Sequence, residues 1–384
     1  MPRTYSKQHG EATCHQNALD RLEWTFNSFD HVTVAFSGGK DSTVCMNLAL
    51  EVAKAKNRLP LHVYTFDEEA IPPETVEYMA RVALRPEVDL HWYCVPIQHR
   101  NACSTDSPYW YPWAPEDEAK WVRPLPPQAI TGYEGFNRQG IAQQMRAIFP
   151  SGSGSLANVM GIRTQESLSR HWAVASKKGW EAFMSPGAAH ASKNVYPIYD
   201  WMTEDVWIAP ELFGWDYNRA YDTMDGAGLP RHLQRCSPPF GEQPIRRLHT
   251  YKTCWPQLWA KMVDRVPGAA TAARYANTEL YAVGVENDDL PDGLTWREWT
   301  MQTLRALPVS SQQEAAFAIQ VGMKNHAKRT GGAPLPDEEP HPLSGFCWKG
   351  MYLAAKIGGN KFGRVQQKIG NNAIKVRRRN GVPA

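Results

Sequence analysis

Cysteine is scarce in this chain. The seven cysteines among 384 residues are Cys14, Cys45, Cys94, Cys103, Cys236, Cys254 and Cys347, odd in number, widely spaced and never in a CxxC pair. That excludes a dense disulfide scaffold and leaves no local ligand set for a zinc ribbon or an iron–sulfur cluster. Long apolar runs are missing as well. None approaches the roughly 18–20 residues that a membrane-spanning helix needs, and Met1-Pro2-Arg3-Thr4-Tyr5 lacks the apolar segment of a secretory signal. The expectation is a reduced, cytoplasmic protein without a membrane partner.

Acidic residues are absent from Lys349 to Ala384, and this gives the net charge its meaning. The whole chain carries 42 Lys+Arg against 39 Asp+Glu, a formal +3. Nine of the bases (Lys349, Lys356, Lys361, Arg364, Lys368, Lys375, Arg377, Arg378 and Arg379) fall in that last stretch. Residues 1–348 are therefore left at −6. A mildly acidic body with a basic tail suggests contact with a polyanion, nucleic acid first; the plainer reading is a solvated tail.

Short β-branched runs alternating with helical periodicity predict a parallel sheet wrapped by helices. Strands are expected at His31–Phe36, Leu61–Phe66, Leu90–Val95 and Leu156–Ile162, about five in all, with helices from about Ser42 to Lys56, from Pro72-Pro73-Glu74 onward and from Gln165 to Lys178. Residues 1–215 read as an α/β domain. They are interrupted at 100–135 by an aromatic, Pro-rich insertion carrying Trp110, Trp113 and Trp121. The insertion either packs as a lid or stacks on a base. Residues 216–330 read as a helical lobe with segments near 250–265 and 309–329, and 331–384 as a linker followed by the basic tail.

Ser37-Gly38-Gly39-Lys40-Asp41-Ser42 follows the first strand and opens the next helix. Two glycines allow a sharp turn that presents consecutive N–H groups to an anion. The helix dipole adds partial positive charge, the serine hydroxyls add donors, and Lys40 adds a full charge. The loop matches neither GxxxxGK[ST] nor GxGxxG, which disfavours a Walker loop and a dinucleotide site.

This loop resembles the PP-loop of the adenine-nucleotide α-hydrolase superfamily, and within it the phosphoadenosine phosphosulfate (PAPS) reductase family. Gly161-Ile162-Arg163-Thr164-Gln165-Glu166-Ser167-Leu168-Ser169-Arg170 and Pro197-Ile198-Tyr199-Asp200-Trp201-Met202-Thr203-Glu204-Asp205-Val206-Trp207 are similar to two further family segments, in family order. The aromatic insertion and Arg235-Cys236-Ser237-Pro238-Pro239-Phe240-Gly241 are most similar to the subgroup typified by immunoglobulin-binding regulator A, whose members tend to be encoded beside a ParB-like protein. The resemblance implies an open, twisted, parallel Rossmann-like sheet of the HUP type. It also implies ATP or PAPS as ligand, Mg²⁺, and no iron–sulfur cluster.

The implied ligand set is Ser37, Gly38, Gly39, Lys40, Asp41, Ser42, Asp67, Gly161, Arg163 and Arg170, with Lys40, Asp41, Arg163 and Cys236 as catalytic candidates. Asp67 suits the ribose, or a Mg²⁺ shared with Asp41; it also suits a turn. Glu68 and Glu69 beside it are weaker candidates. Gly161 would let the nucleoside approach closely. Arg163, Glu166 and Arg170 fall on one helix face, which suits phosphate oxygens or a mutual ion-pair array. Cys236, flanked by Arg231, His232 and Arg235, is either an activated thiol or a small buried side chain. The Glu-Cys-Gly-like end of the reductases is missing. The favoured expectation is therefore an ATP-cleaving PP-loop enzyme that activates a nucleic-acid-linked substrate, for example for thiolation. A thiol-dependent sulfonucleotide reductase and a non-catalytic, DNA-associated nucleotide binder are the alternatives.

Overall fold

The computed structural model describes residues 12–104, 106–167, 170, 171, 174, 180–241, 248–275, 290–307, 309–357, 376, 377, 380 and 381. They divide into two units: Met1–His99 with Tyr111–Pro239 and His249–Arg265, and Arg100–Trp110 with Phe240–Leu248 and Val266–Ala384.

The first unit is built on a seven-stranded sheet. Its strands are β1 (His31–Ala35), β2 (Leu61–Phe66), β3 (Val88–Tyr93), β4 (Ala129–Ile130), β5 (Leu156–Val159), β6 (Met184–Pro186) and β7 (Ser192–Val195). The spatial order is β4-β3-β2-β1-β5-β7-β6. All pairings are parallel except β6 with β7. This is the expected open α/β sheet, longer by its two edges. The chain runs outward from β1 through β2 to β3 and later returns to the other side of β1 with β5. The order reverses between β1 and β5, where open α/β sheets collect ligands beyond their strand C-termini.

Strand alternation separates two apolar layers. Val32, Val34, Leu61, Val63, Val88 and Trp92 face a core shared with α1 (Cys14–Ser28), α2 (Lys40–Ala55) and α3 (Pro73–Ala83), and with Val206 and Ala209 of α5 (Thr203–Phe213). Tyr64, Phe66 and Tyr93 face the opposite side, toward Met145 and Ile148 of α4 (Ile141–Ile148) and toward Tyr133 and Phe136. Helix α2 is apolar on most of its circumference because it lies between the sheet and other helices.

The aromatic insertion is held to the sheet by buried charge. Asp67 follows β2, and its carboxylate accepts from Trp92 Nε1 (2.7 Å), Trp113 Nε1 (3.2 Å), the Glu69 backbone N–H (2.7 Å) and Arg123 Nη2 (2.6 Å). Glu69, with a left-handed φ of 59°, accepts from the backbone N–H of Trp113 (2.7 Å) and Val122 (3.1 Å) and from Arg265 Nε (3.0 Å). Arg265 also donates to Asp117 and to the Tyr111 carbonyl. Trp113 and Trp121 meet edge to face within this knot, their centroids 5.1 Å apart. Packing is thus the role of these two rings. Trp110 belongs to the second unit and packs on Phe240.

In the second unit, the helices Trp296–Ala306, Val309–Thr330 and Trp348–Ile357 enclose Trp296, Ile319, Phe346, Trp348, Met351 and Tyr352. The segment 331–343, expected as a linker, is part of this packing. Asp337 accepts from the backbone N–H groups of Trp296 and Arg297, capping their helix, and His326 joins Ser344 Oγ to the Ala333 carbonyl. The expected helix 250–265, which falls in the first unit, is broken in two, Leu248–Cys254 and Pro256–Arg265, because proline cannot continue an N–H ladder. Of the basic tail, Lys349 and Lys356 lie on the last of the three helices. Lys361, Arg364, Lys368, Lys375, Arg378 and Arg379 lie outside the described residues.

Removing one partner of a buried ion pair strands the other charge, a loss of about 3–5 kcal/mol. Arg123→Ala and Asp67→Asn are each expected to lower unfolding stability by about that amount, and Arg123→Lys to restore little because it cannot form the two-pronged contact. Urea denaturation checks this; variants within about 0.5 kcal/mol of the parent would remove the clamp from the account.

Candidate functional site

The phosphate loop lies at the point where the strand order reverses. Gly38 has φ +67°, and a Cβ there would stand 2.9 Å from Thr75 Cγ2, so both backbone and space require glycine. The loop braces itself: Ser42 Oγ accepts from the Ser37 backbone N–H (3.2 Å) and donates to the Gly39 carbonyl (2.9 Å). Asn218 Nδ2 donates to the Gly38 carbonyl (2.9 Å) and to Thr75 Oγ1 (2.8 Å). The Tyr221 hydroxyl accepts from the Lys40 backbone N–H (2.9 Å). The loop is thereby fixed in shape, with Gly39 as the N-cap of α2.

Beyond it opens a cleft of about 360 Å³, lined by Ser37, Gly39, Asp41 and Ser42 from the loop and by Glu166, Arg170 and Arg235 on a polar wall. Tyr64, Phe66, Ile141, Met160 and Ile162 form the apolar side. The volume is within the range of small-ligand sites. Burial, and then the charge of Arg235, hold the Arg170 guanidinium below its usual pKa. Two cations that repel one another beside a helix N-terminus make a site for an anion.

Several expected residues are used differently. Arg163 is 3 % exposed and sits at the start of a 3₁₀ turn, Thr164–Glu166, with extended backbone. It therefore shares no helix face with Glu166 and Arg170. Its guanidinium bonds Asp41 and lies 3.3–3.4 Å from Gln165 Oε1 and Thr203 Oγ1. Arg163 and Lys40 flank Asp41. Burial acts against the Asp41 carboxylate, but these two cations outweigh it and keep its pKa below the usual range. Glu166 nevertheless lies between the two guanidiniums, 3.6 Å from Arg163 Nη2 and in contact with Arg170 Nη1, so the ion-pair array forms without a shared helix face.

Lys40 leans toward the Tyr221 ring, 5.7 Å away, and contributes to Asp41 at 3.1 Å without lining the cleft. Gly161 is required by the loop itself: a Cβ there would lie 2.7 Å from the Asp41 backbone carbon. Close approach of the protein backbone therefore requires that glycine, which also lines the cleft. The Mg²⁺ pair Asp41–Asp67 does not form. Asp67 has no exposed carboxylate surface, and its oxygens are held by Arg123 and the tryptophans, so the residues present do not fit a shared cation.

Cys236 is 5 % exposed, and burial pushes its thiol up to about 11 despite nearby Tyr221, Thr75 and Lys40. Asn218 contacts its sulfur at 3.4 Å. It is a packed thiol, not an activated one, and among the described residues no cysteine lines the cleft. Burial likewise raises Cys14, Cys45, Cys94, Cys103, Cys254 and Cys347.

Three contributors escaped sequence reasoning. Asn218 and Tyr221 brace the loop from about 180 residues away, and no spacing signals such a contact. Arg235 shows in the sequence only as a basic neighbour of Cys236. Glu68, a minor candidate, lines the cleft with 31 % of its side chain exposed, 3.4 Å from His99 Nδ1. Burial, then the Asp67 charge, push its carboxyl up to about 7. Burial pushes His99 down to about 4.

Comparison with known proteins supplies the family. Residues 228–339 match the domain of unknown function DUF3440. The Uncharacterized protein YbdN of Escherichia coli (strain K12) is 30 % identical over 341 residues, covering 84 % of this chain and 82 % of that protein. Among solved structures, the phosphoadenylyl-sulfate (PAPS) reductase of Candida auris, a phosphate complex, matches at 13 % identity and TM-score 0.30 over 56 % of this chain and 93 % of its own. The FMN adenylyltransferase of Candida glabrata matches at 14 % and 0.34 over 56 % and 62 %. Residues 31–224, half of the chain and the whole of the cleft except Arg235, match the phosphoadenosine phosphosulfate reductase domain, and the chain belongs to that family.

Proposed function

We propose that the cleft binds an adenine nucleotide, ATP in the first instance, and that the protein splits its α–β phosphoanhydride bond. The observation that carries this is the composition of the cleft: loop amides at a helix N-terminus, Arg170 and Arg235 opposite, an apolar wall for a base, and no thiol. An acceptor nucleophile attacks the α-phosphorus. The bond to the α–β bridging oxygen breaks, and pyrophosphate leaves with the electron pair. Charge that develops on the phosphate oxygens is met by donors already in place, the arrangement in which a single donor is worth about 10²–10³ in rate. Asp41, pinned by Lys40 and Arg163, fixes the start of α2 so that those donors do not reorganise.

A thiol-dependent reductase needs a thiolate at the sulfur, and a Cys236 thiol pushed up to about 11 disfavours it. The acceptor we propose is linked to nucleic acid, with thiolation as one outcome; the charge split between residues 1–348 and the tail supports this. A ParB-like partner rests on the subgroup resemblance of Arg235–Gly241 and the insertion.

ATP and full-length protein, with and without nucleic acid, are expected to release pyrophosphate, with Lys40→Ala strongly impaired. Arg235→Ala should weaken nucleotide binding by about tenfold, the loss of one charge-assisted contact. Binding without release under every condition would leave only a nucleotide-binding regulator.

Glu68 sets a pH dependence. Above about 7 its carboxylate opposes an incoming phosphate chain; below, it is protonated and neutral. Nucleotide affinity should therefore rise from pH 8 to pH 6, and Glu68→Gln should hold the higher affinity throughout. An unchanged profile in that variant would assign the effect elsewhere.

Nucleic-acid binding through the tail should be steeply salt-dependent and lost on truncation after Ile357. The cut belongs there because Phe346, Trp348, Met351 and Tyr352 are core residues of the second unit. Salt-insensitive binding, or binding that survives truncation, would return the tail to a solvated role.

A further inference from the structure

On the face of the sheet that carries Tyr64 and Phe66, nearer the start of the strands, three side chains unrelated to the cleft converge. His62 and Asp89 are direct partners across β2 and β3, and His91 follows two residues later on the same face. One carboxylate oxygen, Asp89 Oδ2, lies 2.9 Å from His62 Nδ1 and 3.0 Å from His91 Nε2. The three ligand atoms all lie within 4.8 Å of one another.

We propose that His62, Asp89 and His91 form a binding site for a divalent transition-metal cation of the zinc, cobalt or nickel class. Around such an ion, with ligands about 2.0–2.1 Å away, neighbouring donors sit about 2.9 Å apart at right angles and about 3.4 Å apart in a tetrahedron. The two His–Asp separations already equal the first value and need a few tenths of an ångström for the second. Imidazole with carboxylate selects these metals over magnesium and calcium, which prefer all-oxygen shells.

The strand register holds the ligands together before any ion arrives, so little ordering is left for binding to impose. The side chains of His62, Asp89 and His91 are 57 %, 44 % and 41 % exposed. Water completes the coordination sphere, and an ion has an open path in. An ordinary surface ion pair accounts for either histidine; it does not require both to point at one oxygen.

The test uses the full chain, stripped with a chelator and titrated calorimetrically with Zn²⁺ alone. One saturable equivalent is expected, weakened by more than about 100-fold in His62→Ala and in His91→Ala, beyond the loss of an outer-shell partner. Neither residue touches the cleft, so nucleotide binding and circular dichroism should match the parent. Co²⁺ in place of Zn²⁺ should give a spectrum without thiolate charge transfer. An equivalent that persists in the His62→Ala/His91→Ala double variant, a thiolate band from one of the seven cysteines, or no saturable binding would each overturn the proposal.

Discussion

Two buried carboxylates, Asp67 and Glu69, are the constraint around which the first unit is arranged. They stand just beyond β2, where a sheet of this type ordinarily offers side chains to a ligand. Here they are turned inward onto Arg123 and Arg265, two indole N–H groups and three backbone N–H groups. Buried charge is tolerable only when paired and hydrogen-bonded. The chain between Tyr111 and Arg123 therefore has little choice of path. The Pro-rich insertion, which has no regular interior ladder to hold it, takes its shape from these acceptors.

The same electrostatic logic separates the acids near the cleft into roles that the sequence spacing does not distinguish. Asp41 is held ionised by two cations and serves the loop. Asp67 is consumed by the insertion. Glu68, one residue on, lines the cleft, where burial first and its neighbour's charge second raise its pKa. Consecutive carboxylates thus end in different surroundings because the backbone turns between them.

Much of this was legible beforehand. β-branched runs and glycine punctuation located the sheet, and the strand–Gly-Gly–helix sequence located the phosphate loop, because both are local consequences of backbone sterics. The remaining features depend on contacts far apart in the chain. Arg163 looked like a phosphate ligand because guanidinium suits phosphate, yet it pairs with Asp41, 122 residues away. Residues 331–343 looked like a linker by composition, yet Asp337 caps a helix 40 residues earlier. Cys236 reads in sequence as either an activated thiol or a small buried side chain, and its burial in the fold decides for the second. Composition reports what a segment can do in water; it does not report which partner the fold delivers.

Gly161 shows how tightly the halves of the sheet are joined at the cleft. With Cβ room of only 2.7 Å to the Asp41 backbone, the turn after β5 and the first turn of α2 are in van der Waals register, and neither can slide without the other. The floor and one wall of the cleft are thus a single mechanical piece. Adjustment to the size of an occupant is then left to the rest of the lining, which includes Ile141, 47 % exposed at the start of α4.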